Sequence, residues 1–141
     1  MWKIVYNALT LCVLPFFVPY ALAKRKIRSN LRERLLPQTH RDSIENGIWV
    51  HAASIGETII ADNLIQYLKD HNYADPFLVT TNTYYAKELM QKKGRALVQV
   101  RALPFDFIFS MKRFLKKLRP KALVIVETEL WPNFIWLSKK K

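Results

Sequence analysis

The sequence predicts an α/β fold in which a parallel sheet is covered by helices on both faces and follows an apolar N-terminal helix. Positions 4–23 carry no charged residue, a strongly basic stretch comes next, and after Pro37 short apolar runs alternate with amphipathic stretches. Strands that alternate with helices are typical of parallel sheets. We therefore divide the chain into an anchor at residues 1–23, a basic helix and linker at 24–46, and an α/β domain at 47–141.

The composition limits the classes of function. Half of the 141 residues are hydrophobic, which suffices for a packed core, and the formal net charge is +12. Such a charge indicates an anionic partner: nucleic acid, a phospholipid surface or a phosphorylated substrate. The single cysteine, Cys12, excludes a disulfide framework within the chain. With only three glycines, the sequence lacks the glycine-rich loops of dinucleotide-dependent oxidoreductases and P-loop proteins.

The apolar run is long enough to cross a bilayer. Twenty helical residues rise about 30 Å, which matches the thickness of the hydrocarbon layer. Pro15 and Pro19 would break a soluble helix but are tolerated in membrane spans. Four of the five residues at 24–28 are lysine or arginine, so the positive-inside rule predicts a single-pass anchor with the C-terminal side in the cytoplasm.

A cleaved signal peptide is the alternative, because Ala21-Leu22-Ala23 fits a small-x-small cleavage site. One lysine besides the amino terminus precedes the apolar run, whereas the dense positive charge follows it. Export favours the opposite polarity, so the flanking charges favour the anchor.

The stretch from Lys24 to Arg41 has the pattern of a basic helix with apolar residues near a spacing of four. Such a helix can lie on an anionic leaflet with its apolar side chains inserted and its arginines at the phosphates. A solvated linker helix with one packed face is an equal alternative on pattern alone. The neighbouring apolar span favours the leaflet, so anionic lipids are expected partners.

Four short runs rich in β-branched or aromatic residues predict strands. These runs lie at residues 48–52, 77–80, 96–102 and 122–126, and helical patterns occupy residues 57–69, 85–93, 107–118 and 132–137. In the common doubly wound order the first strand is central, the second and third lie on one side, and the fourth lies on the other. Ligands then bind at the carboxyl ends of the first and fourth strands.

Glu57 follows the first strand in the stretch Ser54-Ile55-Gly56-Glu57. This stretch matches a capping box, in which serine and glutamate cap a helix, and that structural role is the commoner one. Alternatively, a carboxylate on the first turn of a helix at a cleft can act as a general base towards a hydroxyl nucleophile. Both interpretations of Glu57 stay open at this point.

Glu127 and Glu129 follow the fourth strand and precede the Pro132 helix, whose N-terminus they can complement. Two acids next to a buried apolar strand also indicate a cleft, since a buried carboxylate without a partner is costly. The doubly wound order would bring these acids and Glu57 to one groove.

Four segments in order along the chain carry a family resemblance. They are Ile48-Trp49-Val50-His51-Ala52-Ala53-Ser54-Ile55-Gly56-Glu57, Thr80-Thr81-Asn82-Thr83, Leu103-Pro104-Phe105-Asp106 with Arg113-Phe114-Leu115 and Arg119-Pro120, and Glu127-Thr128-Glu129-Leu130-Trp131-Pro132-Asn133. They resemble segments of the Kdo (3-deoxy-manno-octulosonic acid) transferases of lipid A synthesis. The resemblance spans nearly the whole chain, including the N-terminal anchor.

The resemblance implies the N-terminal, Rossmann-like half of a two-domain GT-B glycosyltransferase at the bacterial inner membrane. It implies inverting transfer of Kdo to a lipid A precursor in lipopolysaccharide synthesis, from CMP-Kdo bound by a C-terminal domain that this chain lacks. By position, Glu57 matches the family's proton acceptor and Glu127 an acid that stabilises the transition state. Ser54, Gly56 and Glu129 are expected to line the substrate site. No cofactor is expected, and the chain alone is expected to be inactive.

Three further features of the sequence bear on the site and its surroundings: a tyrosine pair, the histidines and a basic stretch. Tyr84-Tyr85 stand where the family has small residues or glycine, which predicts a different loop shape. The three histidines are scattered, so a metal site is not expected, and a core position is favoured for His51 over the cleft rim. Residues 112–121 carry six cations and no acid, which fits a solvated face or a phosphate-attracting, membrane-facing surface equally.

The alternative function is a non-enzymatic binding module, a basic membrane-tethered domain that recruits nucleic acid or an acidic protein. The net charge supports it. The sequence contains no nucleic-acid-binding motif or aromatic stacking strip beside the charge, so no nucleic-acid partner is expected.

Overall fold

The computed structural model of the chain describes residues 2–37, 44–116, 118–127 and 129–139, and within these ranges it contains six helices and six strands. The helices are α1 (Trp2–Ala23), α2 (Arg25–Leu35), α3 (Ile55–Asp70), α4 (Tyr84–Lys92), α5 (Ile108–Leu115) and α6 (Pro132–Ser138). The strands are β1 (Ile44–Glu45), β2 (Ile48–His51), β3 (Phe77–Thr81), β4 (Val98–Ala102), β5 (Leu118–Arg119) and β6 (Ala122–Ile125).

Four of the strands form one parallel sheet in the order β4-β3-β2-β6. At the end of β2, His51 pairs with Thr80 of β3 on one side and with Ile125 of β6 on the other. The observed order confirms the prediction that the first long strand is central and the fourth lies alone on one side of it. Because both faces are covered, β2 and β3 are almost entirely buried, whereas the edge strand β4 carries Gln99 and Arg101 between its apolar residues.

Two separate apolar clusters lie on the two faces of this sheet. Alternate residues of a strand point to opposite faces, so Trp49 packs in one cluster and Val50 in the other. The Trp49 cluster includes residues of α5 and α6, and the Val50 cluster includes residues of α3 and α4. Helices therefore cover both faces, as the sequence predicts.

A second, two-stranded sheet was not predicted. β1 pairs in parallel with β5, and Ile44 lies opposite Leu118 with the same offset that Ile48 keeps with Ala122. The pair therefore extends the β2–β6 ladder beyond an interruption. Pro120 has no N–H to donate to a ladder, and Asn46 has a φ of 56°, which extended strands do not adopt.

The ends of two predicted helices are wrong. The predicted helix over residues 107–118 loses its last turn, since α5 ends at Leu115 and Leu118–Arg119 form β5. The basic helix ends at Leu35 instead of continuing to Arg41, and residues 38–43 lie outside the described ranges. The first end has a tertiary cause, because Leu118–Arg119 pair with β1, whereas the second has a local one, because Pro37 disfavours helix at the residue before it.

Helix α2 packs against the α/β domain. Leu31 is buried, and the Glu33 side chain forms an ion pair with Lys87 of α4 and accepts a hydrogen bond from Ala102 N–H of β4 at 3.1 Å. The Ser110 hydroxyl of α5 donates to Leu35 O at 2.6 Å. Of the two interpretations of this helix, the one with a packed face describes Leu31, which touches protein and not lipid.

The N-terminus of α6 is capped by Asp106, which lies between β4 and α5. The Asp106 carboxylate accepts hydrogen bonds from the backbone N–H groups of Asn133 (2.9 Å) and Phe134 (2.8 Å) and from the Tyr6 hydroxyl of α1 (2.7 Å). Burial raises the pKa of the Asp106 carboxyl, although all three bonds favour its ionised form. One carboxylate therefore joins α1, the β4–α5 loop and α6.

Gly47, between β1 and β2, allows a close approach to the Pro76 carbonyl just before β3. A Cβ at this position would overlap the Pro76 carbonyl oxygen and lie 2.6 Å from Ile44 Cδ1. We expect Gly47→Ala to lower the free energy of unfolding by about 1–3 kcal/mol, because the strands must move apart. Urea unfolding in detergent, followed by tryptophan fluorescence, measures this change.

Gly56→Ala is the matched control for this prediction. A Cβ at Gly56 would meet only Ser54 Oγ, at 4.0 Å, and alanine is about 1 kcal/mol better than glycine in a helix. We expect this variant to be as stable as the parent or more so. Equal destabilisation by both substitutions would contradict the steric explanation.

Candidate active site

The loops after β2, β3 and β6 are tied together at the carboxyl edge of the sheet. Asn82 N–H, just after β3, donates to Ala53 O at 3.2 Å, and Val126 N–H, just after β6, donates to His51 O at 2.8 Å. Residues 54–57 and 127–129 continue from these tied positions. The candidate carboxylates therefore lie on adjoining loops at one edge.

Glu57 occupies a capping box at the start of α3. Ser54 Oγ accepts from Glu57 N–H at 3.3 Å, and Glu57 Oε2 accepts from Ala53 N–H at 2.7 Å. The side chain is buried, with 9% of the residue surface exposed. Among the described residues no donor reaches Oε1. The structural interpretation of Glu57 thus accounts for one carboxylate oxygen, and the general-base role stays a prediction for the other.

Gly56 has open space above it on the first turn of α3. A Cβ at this position would lie 4.0 Å from its nearest neighbouring atom, so packing within the chain does not require glycine here. Glycine is instead the residue that lets a bound molecule approach the backbone closely. Ser54, the N-cap of the same helix, is also exposed.

Glu129 is held by two donors. The Asn82 side-chain amide donates to Glu129 Oε2 at 3.4 Å, and the Trp131 indole N–H donates to the same oxygen. Because Asn82 N–H bonds Ala53 O and Ala53 N–H bonds Glu57, only Ala53 and Asn82 separate Glu129 from Glu57 in this chain of hydrogen bonds. The two acids are therefore near neighbours in the fold.

Arg34 of α2 holds the loops that follow β3 and β4 in place. Its Nε donates to Leu103 O at 2.7 Å and its Nη1 to Asn82 O at 3.2 Å, while the guanidinium lies 4.0 Å from the centre of the Phe105 ring. Burial lowers the pKa of Arg34 to about 10, against the opposing effect of Glu129 and Glu33. The guanidinium remains charged at neutral pH and fixes the loops after β3 and β4.

Glu127 is exposed and adopts a φ of 62°. A left-handed conformation at a non-glycine residue costs about 1 kcal/mol or more and is concentrated at functional sites. The residue directly follows the bond between Val126 and His51, which fixes where the strained turn begins. Thr128, the residue between the two acids, lies outside the described ranges.

His51 is fully buried at the end of β2. Its Nδ1 lies 3.1 Å from Thr80 O and 3.0 Å from Thr80 Oγ1, and its ring meets Phe134 edge-on at 5.2 Å. A carbonyl can only accept, so Nδ1 carries the proton, and the buried Nε2 has no partner among the described residues. Burial lowers the pKa of His51. The structure places this histidine in the core, which the sequence favoured.

Two further expectations can be compared with the structure. Thr83 caps α4, its Oγ1 accepting from Ala86 N–H at 3.3 Å, and Tyr84 and Tyr85 lie exposed on the first turn.

The basic stretch 112–121 does not form one face, because it runs through the end of α5, β5 and a bend, and Lys117 lies outside the described ranges. Arg113 Nε donates to Pro37 O at 2.9 Å.

Within the described ranges, no three His, Cys, Asp or Glu side chains lie close enough together to hold a metal ion. The candidate groups at this edge are carboxylates, a serine hydroxyl and backbone. Such an arrangement can orient a hydroxyl, accept its proton and stabilise a developing positive charge.

Sequence reasoning missed Arg34, Asn82 and Asp106 as parts of this edge. The pattern places Arg34 on a basic surface, although it lies three residues after Leu31 and so shares the buried face of α2. Nothing in the local sequence indicated that Asp106 caps α6, because that helix begins 26 residues later in the chain.

A family model for "3-Deoxy-D-manno-octulosonic-acid transferase (kdotransferase)" matches residues 29–141. The chain belongs to the Kdo transferase family. The matched range includes every residue of the candidate site, from Arg34 to Glu129, and excludes α1.

Curated relatives agree with the family. The chain is 33% identical over 135 residues to a 3-deoxy-D-manno-octulosonic acid transferase of Rickettsia bellii, a match that covers 92% of this chain and 32% of the relative. It is 31% identical over 140 residues to that of Haemophilus influenzae (96% and 33%) and 34% identical over 107 residues to that of Aquifex aeolicus (76% and 30%). This Kdo transferase chain therefore spans about a third of the length of these relatives.

We expect Arg34→Met to lower the free energy of unfolding by about 2–3 kcal/mol, because Leu103 O and Asn82 O lose a charged donor at a half-buried site. Arg32→Met is the matched control, since Arg32 is exposed on the same helix. Urea unfolding in detergent measures both. Equal effects of the two substitutions would show that the Arg34 hydrogen bonds contribute nothing.

The lowered pKa of His51 makes stability depend on pH. Below about pH 6.5, the ordinary pKa of histidine, His51 binds a proton in the unfolded chain but not in the folded chain. Stability should therefore fall as the pH drops from about 6.5 towards the lowered value. Urea midpoints between about pH 7.5 and 5.5 should fall less steeply with decreasing pH in His51→Asn than in the parent, and an unchanged slope would contradict the prediction.

Proposed function

We propose that residues 47–141 form the acceptor-side half of an inverting GT-B glycosyltransferase that moves Kdo from CMP-Kdo to a lipid A precursor. The observation that supports this proposal most directly is that Glu57, Glu127 and Glu129 lie on adjoining loops at the carboxyl edge of β2 and β6. All three lie within the range matched by the family model. The edge of a doubly wound sheet where strand order reverses is where such folds bind ligands.

In this mechanism Glu57 is the general base. The acceptor hydroxyl gives its proton to Glu57 Oε1 while its oxygen attacks the anomeric carbon of Kdo. The bond from that carbon to the phosphate oxygen breaks, its electrons stay with CMP, and CMP leaves from the opposite face, which inverts the centre. The bond from Ala53 N–H to Oε2 supports this assignment, since it fixes the side-chain rotamer and leaves Oε1 open.

The remaining groups have supporting roles in the proposal. Glu127 stabilises the positive charge that develops on the transferred sugar, and its strained, exposed backbone supports this role. Ser54, Gly56 and Glu129 line the acceptor site, with Gly56 allowing close approach. We assign the donor site to the two thirds of the relatives' length that this chain does not span.

We place this reaction at the cytoplasmic face of the bacterial inner membrane. Helix α1 has 22 residues and a mean hydropathy of 1.7, so it is long and apolar enough to associate with a bilayer. The formal charge of +12 favours anionic lipid and a phosphorylated acceptor.

We expect Glu57→Gln to reduce transfer by about 10²–10⁴-fold, the usual contribution of a general base. Glutamine can still accept from Ala53 N–H, so the cap remains while the base is lost. The protein for this test is the Haemophilus influenzae relative with its matching first third replaced by residues 1–141. Transfer of labelled Kdo to a lipid A precursor in vesicles is the measurement.

Glu88→Gln is the matched control, because Glu88 lies on α4 in an exposed ion pair with Lys92 and should leave transfer unchanged. Transfer within a few-fold of the parent in Glu57→Gln would remove Glu57 from the role of base. If the unsubstituted chimera shows no transfer but the chain binds unrelated DNA in a salt-sensitive manner, the basic binding module is the better description.

A further inference from the structure

Helix α1 has two different faces. Seven residues at helical spacing are turned towards the rest of the chain and are partly or fully buried: Tyr6, Asn7, Thr10, Leu14, Phe17, Val18 and Ala21. The opposite face exposes large apolar side chains, among them Trp2 (77%), Leu9 (61%) and Phe16 (78%). The buried face therefore holds a hydroxyl, an amide and a phenol, whereas the exposed face is almost entirely apolar.

The buried face is attached to the α/β domain along much of the helix. Near its start, Tyr6 donates to Asp106 at 2.7 Å, and Asn7 Oδ1 accepts from the Asn133 amide at 2.9 Å. Further on, the ring of Phe17 meets those of Phe105 (4.9 Å) and Phe107 (6.0 Å). Positions 6 and 17 are about 16 Å apart along a helix. The helix therefore lies along the domain and does not project from it.

A transbilayer crossing is incompatible with these contacts. If α1 crossed while attached, the irregular 103–107 loop and the Asp106 carboxylate would enter the hydrocarbon, where unpaired backbone and charge are strongly disfavoured. If α1 separated from the domain in order to cross, Tyr6, Asn7 and Thr10 would face lipid, and Asp106 would lose a donor. A helix that stays docked and inserts only its outer face avoids both costs.

We propose that α1 is an in-plane membrane helix, docked on the domain through Asp106 and Asn133, whose outer apolar face inserts into one leaflet of an anionic phospholipid bilayer. This inference rests on the membrane association proposed above and replaces the single crossing that the sequence predicts. The charge beside the helix identifies the partner, because Lys3 at its start and Lys24, Arg28 and Arg32 after its end are exposed. Cations that flank an inserted apolar face are typical of helices bound to anionic lipid.

The arrangement brings the candidate active site to the membrane surface. Leu130 and Trp131 are exposed and lie between Glu129 and the first turn of α6, whose Asn133 binds Asn7 of α1. A tryptophan in this position is of the type that prefers the headgroup region. The loop that carries Glu129 is thus connected to the membrane-bound helix through a few residues.

The native cysteine gives a direct test. Cys12 is exposed near the middle of α1, and a nitroxide attached there reports its depth in vesicles of phosphatidylcholine and phosphatidylglycerol through its accessibility to oxygen and to a water-soluble nickel chelate. An in-plane helix places the label about 5–10 Å below the headgroup boundary. A crossing helix places it near the bilayer centre, about 15 Å deep.

Two adjacent positions, one exposed and one on the docked face, form the matched control. In a Cys12→Ser background, labels at Val13→Cys, on the exposed face, and Leu14→Cys, on the docked face, differ in oxygen accessibility if α1 is docked. Labels at Leu9→Cys and Phe16→Cys then have equal depth. In a crossing helix the 13 and 14 labels would be equally accessible, and the 9 and 16 labels would differ in depth by about 10 Å; either result would overturn the proposal.

Other occupants of the outer face give different outcomes. Spin–spin broadening that grows with protein concentration and is unaffected by vesicles would assign this face to a second copy of the chain and overturn the lipid partner. Equal binding to purely zwitterionic vesicles would overturn the anionic partner. None of these measurements involves a sugar donor. An in-plane helix in an unsubstituted chimera that transfers no Kdo, or a crossing helix in one that does, therefore separates the failure of one proposal from the failure of the other.

Discussion

The parallel pairing of β2 between β3 and β6 sets the position of every candidate catalytic group. Parallel strands end at the same edge, so the chain emerges from β2, β3 and β6 side by side, and the bonds from Asn82 to Ala53 and from Val126 to His51 continue the ladder into the loops. Acids that are about seventy residues apart in sequence become neighbours because of this register. A shift of one residue would exchange Trp49 and Val50 between the two cores, so the same packing that stabilises the sheet also specifies the site.

Loops that leave a sheet expose backbone groups that need partners, and here charged side chains from distant elements supply them. Arg34 satisfies carbonyl oxygens after β3 and β4, and Asp106 satisfies N–H groups at the start of α6. Neither residue is itself placed in the proposed chemistry. Both hold loops on which the chemistry depends, and both connect the N-terminal helices to the α/β domain.

The sequence predicted the features that depend on long patterns and missed those that depend on single distant contacts. The order of the four long strands followed from apolar runs of four or more residues, and three of the four domain helices lie within a few residues of their predicted bounds. β1 and β5 have two residues each, too few to show any period. The arginines of α2 have the pattern of a solvated face, and only tertiary contact distinguishes Arg34 from Arg32. The fit of Glu57 to a capping box could be predicted, because that motif is local.

The capping role of Glu57 and its proposed role as a base are compatible because they use different oxygens. A base on a flexible side chain would lose rotamer freedom each time it met its substrate, whereas the Ala53 bond has already fixed the Glu57 carboxylate on a rigid helix turn. The residues around Glu57 are held in place in the same way, by a series of hydrogen bonds. Ala53 is fixed by Asn82, Asn82 by Arg34 of α2, and the loop of Glu129 by α6, which Asp106 joins to α1. In the proposed reaction, a helix docked in this way does more than bring the chain close to a lipid acceptor, because the position of the helix and that of the carboxylates are set by the same hydrogen bonds.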